Sequence, residues 1–155
     1  MISFEKTPLY FRLILPVLWY GFIFFLTELP FASGNNTKDA IGEIIIKVTD
    51  QDFNPYILTE WLNLIFRSSA HFFMFGIQAI FVYFLLKSDF NFNRKIFWLV
   101  SVGAIAVLGG LDEFHQSLVP ERRPRFIDVC IDISGAVTLL YSALCLKYRY
   151  IQTFS

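Results

Sequence analysis

Ionisable side chains set into apolar blocks are the feature of this 155-residue sequence that most suggests chemistry. Arg67, His71 and Gln78 fall at i, i+4 and i+11 among Phe, Ile and Leu, which puts them on one helical stripe. Further along, Asp112, His115 and Gln116 share a face, and Gly109, Glu113 and Gln116 form an overlapping one. Asp128, Asp132 and Gly135 follow at i, i+4 and i+7, after the run Arg122, Arg123 and Arg125. At membrane depth such groups cost roughly 2.5 to 3.5 kcal/mol each on insertion scales, so those present tend to sit inside a bundle, paired, and often at functional sites.

The residue types suit acid/base work on an anionic substrate. Asp112 and Glu113 are the candidate general acid and base, set apart by burial of one and pairing of the other with Arg122, and His71 is placed to shuttle a proton or polarise a phosphate ester. Arg67, Arg122 and Arg125 carry planar forks that fit phosphate or carboxylate. Gln116, Asp128 and Asp132 complete the candidate ligand-binding set and offset the charge. Ser68, Ser69 and Ser117 lie near the cluster, but without a G-x-S-x-G elbow they make a weak nucleophile case. His71, His115 and the carboxylates are chemically able to hold a divalent ion. No H-E-x-x-H or C-x-x-C spacing supports one, so no metal is assigned and no cofactor is identified. The rival to all this chemistry is an ion-pair network that only locks helix ends together.

Helices must bring these groups to one place. Hydrophobic residues make up 55% of the chain, with 19 Phe, 7 Tyr and 3 Trp, against 17% charged residues, which excludes a disordered chain. Thirteen basic residues balance thirteen acidic ones, so no cationic excess exists to hold nucleic acid. Four blocks reach membrane-spanning length, at about 9–27, 68–86, 96–116 and 126–146, and Ala79 to Leu86 and Ile96 to Leu108 lack the polar stripe of a soluble bundle. The expectation is an all-α, polytopic membrane protein: one domain over 1–155, built as a four-transmembrane-helix bundle. Arg12 is expected to snorkel at the end of the first span, which is read as retained rather than cleaved. In the first outer loop, Gly34 to Asp39 reads as a turn and Ile57 to Phe66 as an amphipathic helix started by Pro55. Cys130 and Cys145 lie on one helix about 22 Å apart, too far to bridge, and read as buried thiols.

Lys6, Arg12, Lys87, Arg94, Lys95, Lys147 and Arg149 mark the inner side, so both termini are expected in the cytoplasm of a multi-pass cell-membrane protein. All the polar clusters then fall at the outer end of the bundle. Arg122, Arg123 and Arg125 run against the basic-residue pattern there and call for another explanation, of which ligand binding is one.

Asp112-Glu113-Phe114-His115-Gln116, then Val119-Pro120-Glu121-Arg122, then Asp128 to Asp132 and Gly135, resembles the D-E-x-x-Q, P-G-R, D-x-x-x-N/D-x-x-G series of the VanZ-like family. Arg67-Ser68-Ser69-Ala70-His71-Phe72 is similar to its K-x-x-x-H-F segment, and Thr27-Glu28-Leu29-Pro30 is a weaker third piece. The match spans most of 67–140. Glu121 stands where the family has Gly, Arg67 replaces Lys, and Phe75 replaces a frequent Tyr. The resemblance implies a four-helix membrane fold, a link to the bacterial envelope and a role in glycopeptide (teicoplanin) tolerance, but no settled reaction. Two readings follow. One is a protein that binds, and hydrolyses or transfers, an anionic amphiphile such as a membrane lipid or lipid-linked cell-wall precursor. The other is a non-catalytic envelope factor that alters surface composition or escorts another membrane protein, giving tolerance indirectly, and whose ion pairs are structural. A homo-oligomer or a membrane-protein partner is compatible with either. A transporter ranks below both, because four short helices leave little room for alternating access.

Overall fold

The computed structural model describes residues 8–29, 34–48, 55–89, 93–120 and 122–153, which form five helices: α1 (Leu9–Glu28), α2 (Gly34–Val48), α3 (Tyr56–Asp89), α4 (Arg94–Leu118) and α5 (Phe126–Thr153). No strand occurs among the described residues. Helices α1, α3, α4 and α5 are each long and apolar enough to cross a bilayer, and many of their large apolar side chains, such as Val17, Phe25, Leu99 and Val107, point outward. An outward apolar surface of this extent belongs in lipid. The chain is an all-α, multi-pass membrane protein.

Two helix boundaries differ from the sequence expectation. Ile57 to Phe66 is not a separate loop helix. It is the first part of α3, because nothing between Phe66 and Ser68 breaks the helix, and α3 runs 34 residues, about 51 Å at 1.5 Å per residue. The helix of the first loop is α2 instead, and it takes in Gly34 to Asp39, which read as a turn. Ile41, Ile44, Ile45 and Val48 recur at helical spacing, and Ile45 is buried; this periodicity outweighs the Gly-Asn-Asn composition before it. Lys38 pairs with Glu60 and sits over the Tyr56 ring, 4.7 Å from its centroid, fastening α2 to α3. The Glu60 carboxylate holds the Lys38 ammonium above its ordinary pKa.

The close approach of α3 to α5 organises the bundle. A Cβ on Gly135 would run into the Phe72 carbonyl oxygen, and one on Gly76 would lie 2.9 Å from the Gly135 carbonyl oxygen. Without side chains at the crossing, the two backbones meet directly. Phe75, Ala79, Ile105, Ala136 and Ile23 pack as a core on one side of it, and Tyr83, Phe97 and Leu140 form a second cluster. Helix α1 is tied on by Trp19 Nε1, which donates to the Met74 carbonyl at 2.9 Å, and by the Tyr20 hydroxyl, which donates to the Leu108 carbonyl at 3.0 Å.

Arg12 does not snorkel: it is 7% exposed and lines a cavity with Ile80, Phe81 and Phe84, because its helix turns that face toward α3. The cysteines are also not buried, Cys130 being exposed and Cys145 intermediate, on parts of α5 turned from the core. Lys6, Pro30, Asp50, Asp52 and Glu121 lie outside the described residues, as do the side chains of Arg94, Lys147 and Arg149.

Candidate functional site

The C-terminal ends of α1 and α4 and the N-terminal halves of α3 and α5 meet at one end of the bundle. Val119 caps α4, and Pro120 and Pro124 keep the chain from continuing as helix until Phe126 opens α5. This turn carries Arg122 across to α1, where its Nη2 donates to the Thr27 carbonyl at 2.9 Å. Burial, and then the neighbouring Arg67, lowers the Arg122 pKa, although a guanidinium stays charged at neutral pH. Arg122 has no ion pair among the described residues.

Asp128 is fully buried between two arginines, 3.4 Å from Arg67 Nη2 and 3.3 Å from Arg125 Nη2. Asp132, also fully buried, faces His71, with Oδ1 3.0 Å from Nδ1. Gly109 makes room for it: a Cβ there would stand 2.6 Å from Asp132 Oδ2. Asp112, 1% exposed, accepts from Gln116 Nε2 at 2.8 Å and from Thr27 Oγ1 at 3.5 Å. Glu113, 7% exposed, accepts the Arg125 backbone N–H through Oε2 at 2.5 Å, which closes the start of α5 against the end of α4.

Above this network lies a cavity of about 360 Å3. Ile23, Leu26, Phe66, Met74 and Phe75 form its apolar walls, Asn36, Thr37 and Ala40 of α2 its side, and Arg67, His71, Asp112, Gln116 and Arg122 its polar end. Of the nine residues singled out from sequence, five thus line the cavity, while Glu113, Arg125, Asp128 and Asp132 stand behind them. His115 goes elsewhere: its ring stacks on Phe24 with centroids 3.8 Å apart, and Nε2 lies 2.8 Å from Glu28 Oε1. Gln78 leaves the site as well, donating to the Pro16 carbonyl at 3.2 Å. Phe75, lacking the hydroxyl of a Tyr, stacks on His71 from the core, centroids 6.0 Å apart.

The wall supplied by α2 was not foreseen, since Asn36 and Thr37 read as a turn; the apolar spacing that follows them was the available signal. Thr27 was visible only as part of the weakest motif. Its contribution depends on a contact 85 residues away in sequence.

A family model described as VanZ/LLP1 matches residues 11–147, nearly the whole chain, and so covers all of these residues. No curated protein and no solved structure matches. The chain belongs to the VanZ/LLP1 family.

Proposed function

We propose that this VanZ/LLP1 membrane protein of the bacterial envelope binds an anionic amphiphile, a phospholipid or lipid-linked cell-wall precursor, with its headgroup at the polar end of the cavity and its chain along the apolar walls. The observation that carries this reading is the cavity itself: apolar walls run up to a floor where Arg67 and Arg122 both stand, and Arg122 has no carboxylate partner among the described residues. A phosphate there gains charge-assisted bonds from two guanidinium forks. On this reading the polar end lies on the outer face and both termini in the cytoplasm, which the basic residues of the other segments support. Glycopeptide tolerance follows if the bound molecule belongs to cell-wall assembly.

Processing of the ligand would use Asp112 and Glu113 as acid and base and His71, oriented by Asp132, as proton carrier. The non-catalytic reading draws on the Arg67, Asp128 and Arg125 contacts, which join α3 to α5 and lock helix ends whatever else happens there.

The test is native mass spectrometry of the purified protein, first for copurifying lipid and then in titration with phosphatidylglycerol and phosphatidylcholine. Preferential retention of the anionic lipid, lost in Arg122→Gln, is the expected result. Equal retention of the two lipids, with nothing anionic copurifying, would sink the reading. Glu113→Gln with unimpaired glycopeptide tolerance in cells would remove catalysis and leave binding.

A further inference from the structure

Four carboxylates are buried at this end of the bundle, and their partners are unevenly shared. Asp128 has two arginines and Asp132 has His71. Asp112 and Glu113 have no ion pair among the described residues: Asp112 is held by an amide and a hydroxyl, Glu113 by one backbone N–H. Glu113 Oε1 is buried and has no hydrogen-bond partner among the described residues, in a side chain that is more than nine-tenths buried. Two uncompensated carboxylates in a low-dielectric site call for positive charge.

Their ligand atoms, together with a ring nitrogen of His71, all lie within 4.8 Å of one another. Donor atoms around a divalent ion bound at its usual distances stand about 3 to 4 Å apart. The three side chains come from two helices, and the close crossing of α3 and α5 holds His71 in place. Its Nδ1 faces Asp132 Oδ1, so Nε2 is left for a ligand. A carboxylate behind a histidine is the outer-shell arrangement that orients metal-binding imidazoles and raises their basicity.

We propose that His71, Asp112 and Glu113 form a binding site for one divalent cation of the Zn2+ or Mn2+ type, with Asp132 as the positioning residue behind His71. One imidazole and two carboxylates suit these ions better than a thiolate-preferring metal, and three protein ligands leave positions open. The ion's two charges match the two unpaired carboxylates. Because His71 and Asp112 line the cavity, its open positions face the polar end. The spacing motifs of single-helix metal sites do not apply, since the set is assembled across helices.

The site does not depend on the lipid reading. With the ion bound it replaces the acid, base and proton-carrier roles of its three ligands, since a coordinated side chain is not free to take up a proton. The metal alone tests it. Full-length protein in detergent, stripped with chelator and exchanged into metal-free buffer, is titrated with Mn2+ followed by electron paramagnetic resonance and with Zn2+ followed by calorimetry. The expected result is saturable uptake of about one ion per chain. Affinity falls at least tenfold in Glu113→Gln and Asp112→Asn, and about 10- to 100-fold in Asp132→Asn. Arg122→Gln binds the ion no more weakly, although it loses anionic lipid, so failure of one proposal is separable from failure of the other. Wild-type protein taking up neither ion saturably would overturn the site whether or not the variants fold. Uptake retained by a folded His71→Gln/Glu113→Gln double variant would also overturn it, by placing the ion elsewhere.

Discussion

The cavity beside α2, about 360 Å3, and the cavity beside Arg12, about 320 Å3, are nearly equal in volume, and both are walled by α1 and α3. The Arg12 cavity is otherwise lined by Leu15, Pro16, Ile80, Phe81 and Phe84, with no acidic side chain among its lining. The other adds α2, the end of α4 with Asp112 and Gln116, and the Arg122 turn, and it draws Arg67 and His71 from the N-terminal half of α3. Size and apolar walls are therefore common to both ends of the molecule. What distinguishes one end is a polar floor that needs four helices to build.

The largest effect expected on this contrast comes from Gly135→Leu. The new side chain collides with the Phe72 backbone, which cannot move aside as a side-chain tip can, so α3 and α5 separate and the polar floor comes apart. Size-exclusion chromatography and thermal melting in detergent should show no folded monomer. A folded, lipid-selective Gly135→Leu protein would mean that the close crossing is not what assembles the site.

Asp128→Ala comes next. It strands Arg67 and Arg125 around a buried space, and breaking a buried pair of this kind costs about 3 to 5 kcal/mol, readable as a lowered denaturation midpoint. Loss of less than about 1 kcal/mol would mean that these pairs are solvated in the membrane-embedded protein.

The direct comparison of the cavities is Arg122→Gln against Arg12→Gln. Removing one charged hydrogen-bonding partner of a phosphate costs about 1.5 to 3 kcal/mol, roughly 10- to 150-fold in affinity. Phosphatidylglycerol binding should fall by that factor in Arg122→Gln and hold in Arg12→Gln. Equal losses would show that both cavities take headgroups and would dissolve the contrast.

Tyr20→Phe deletes the hydroxyl bond to the Leu108 carbonyl and should cost about 1 kcal/mol in stability without changing lipid selectivity. Gly103→Ala is the smallest change: nothing lies within 4 Å of the added carbon, so the melting temperature should hold or rise slightly.

Some of the site is legible from spacing. His71 four residues after Arg67, and Asp132 four after Asp128, had to share faces if their segments were helical, and the pairs Arg67–Asp128 and His71–Asp132 repeat that register across the α3/α5 interface. Where a stripe was extended beyond two turns it failed, because helix packing divides a long face between different neighbours: Gln78 turns to α1 while His71 turns to α5. His115 illustrates the same limit. Its spacing from Asp112 put it in the cluster, but the Phe24 ring and Glu28 of α1 compete for it and hold it at the side.

Burial of single polar residues was harder to read. Arg12 near the start of a span has the sequence of a snorkelling residue, and whether it reaches water or packs inward depends on the rotation of α1 about its axis. In a helix apolar on all sides, the pattern leaves that rotation undetermined.

The sequence by itself determined that this chain is a set of membrane-spanning helices with ionisable groups at one common end. Block length sets the number of spans, and the expense of unpaired charge in lipid restricts where those groups sit. Only the tertiary structure decided which carboxylates received a cation and which did not. That depends on the partner presented by a neighbouring helix, and the crossing of α3 and α5 at Gly135 sets those positions through contacts distant in the chain.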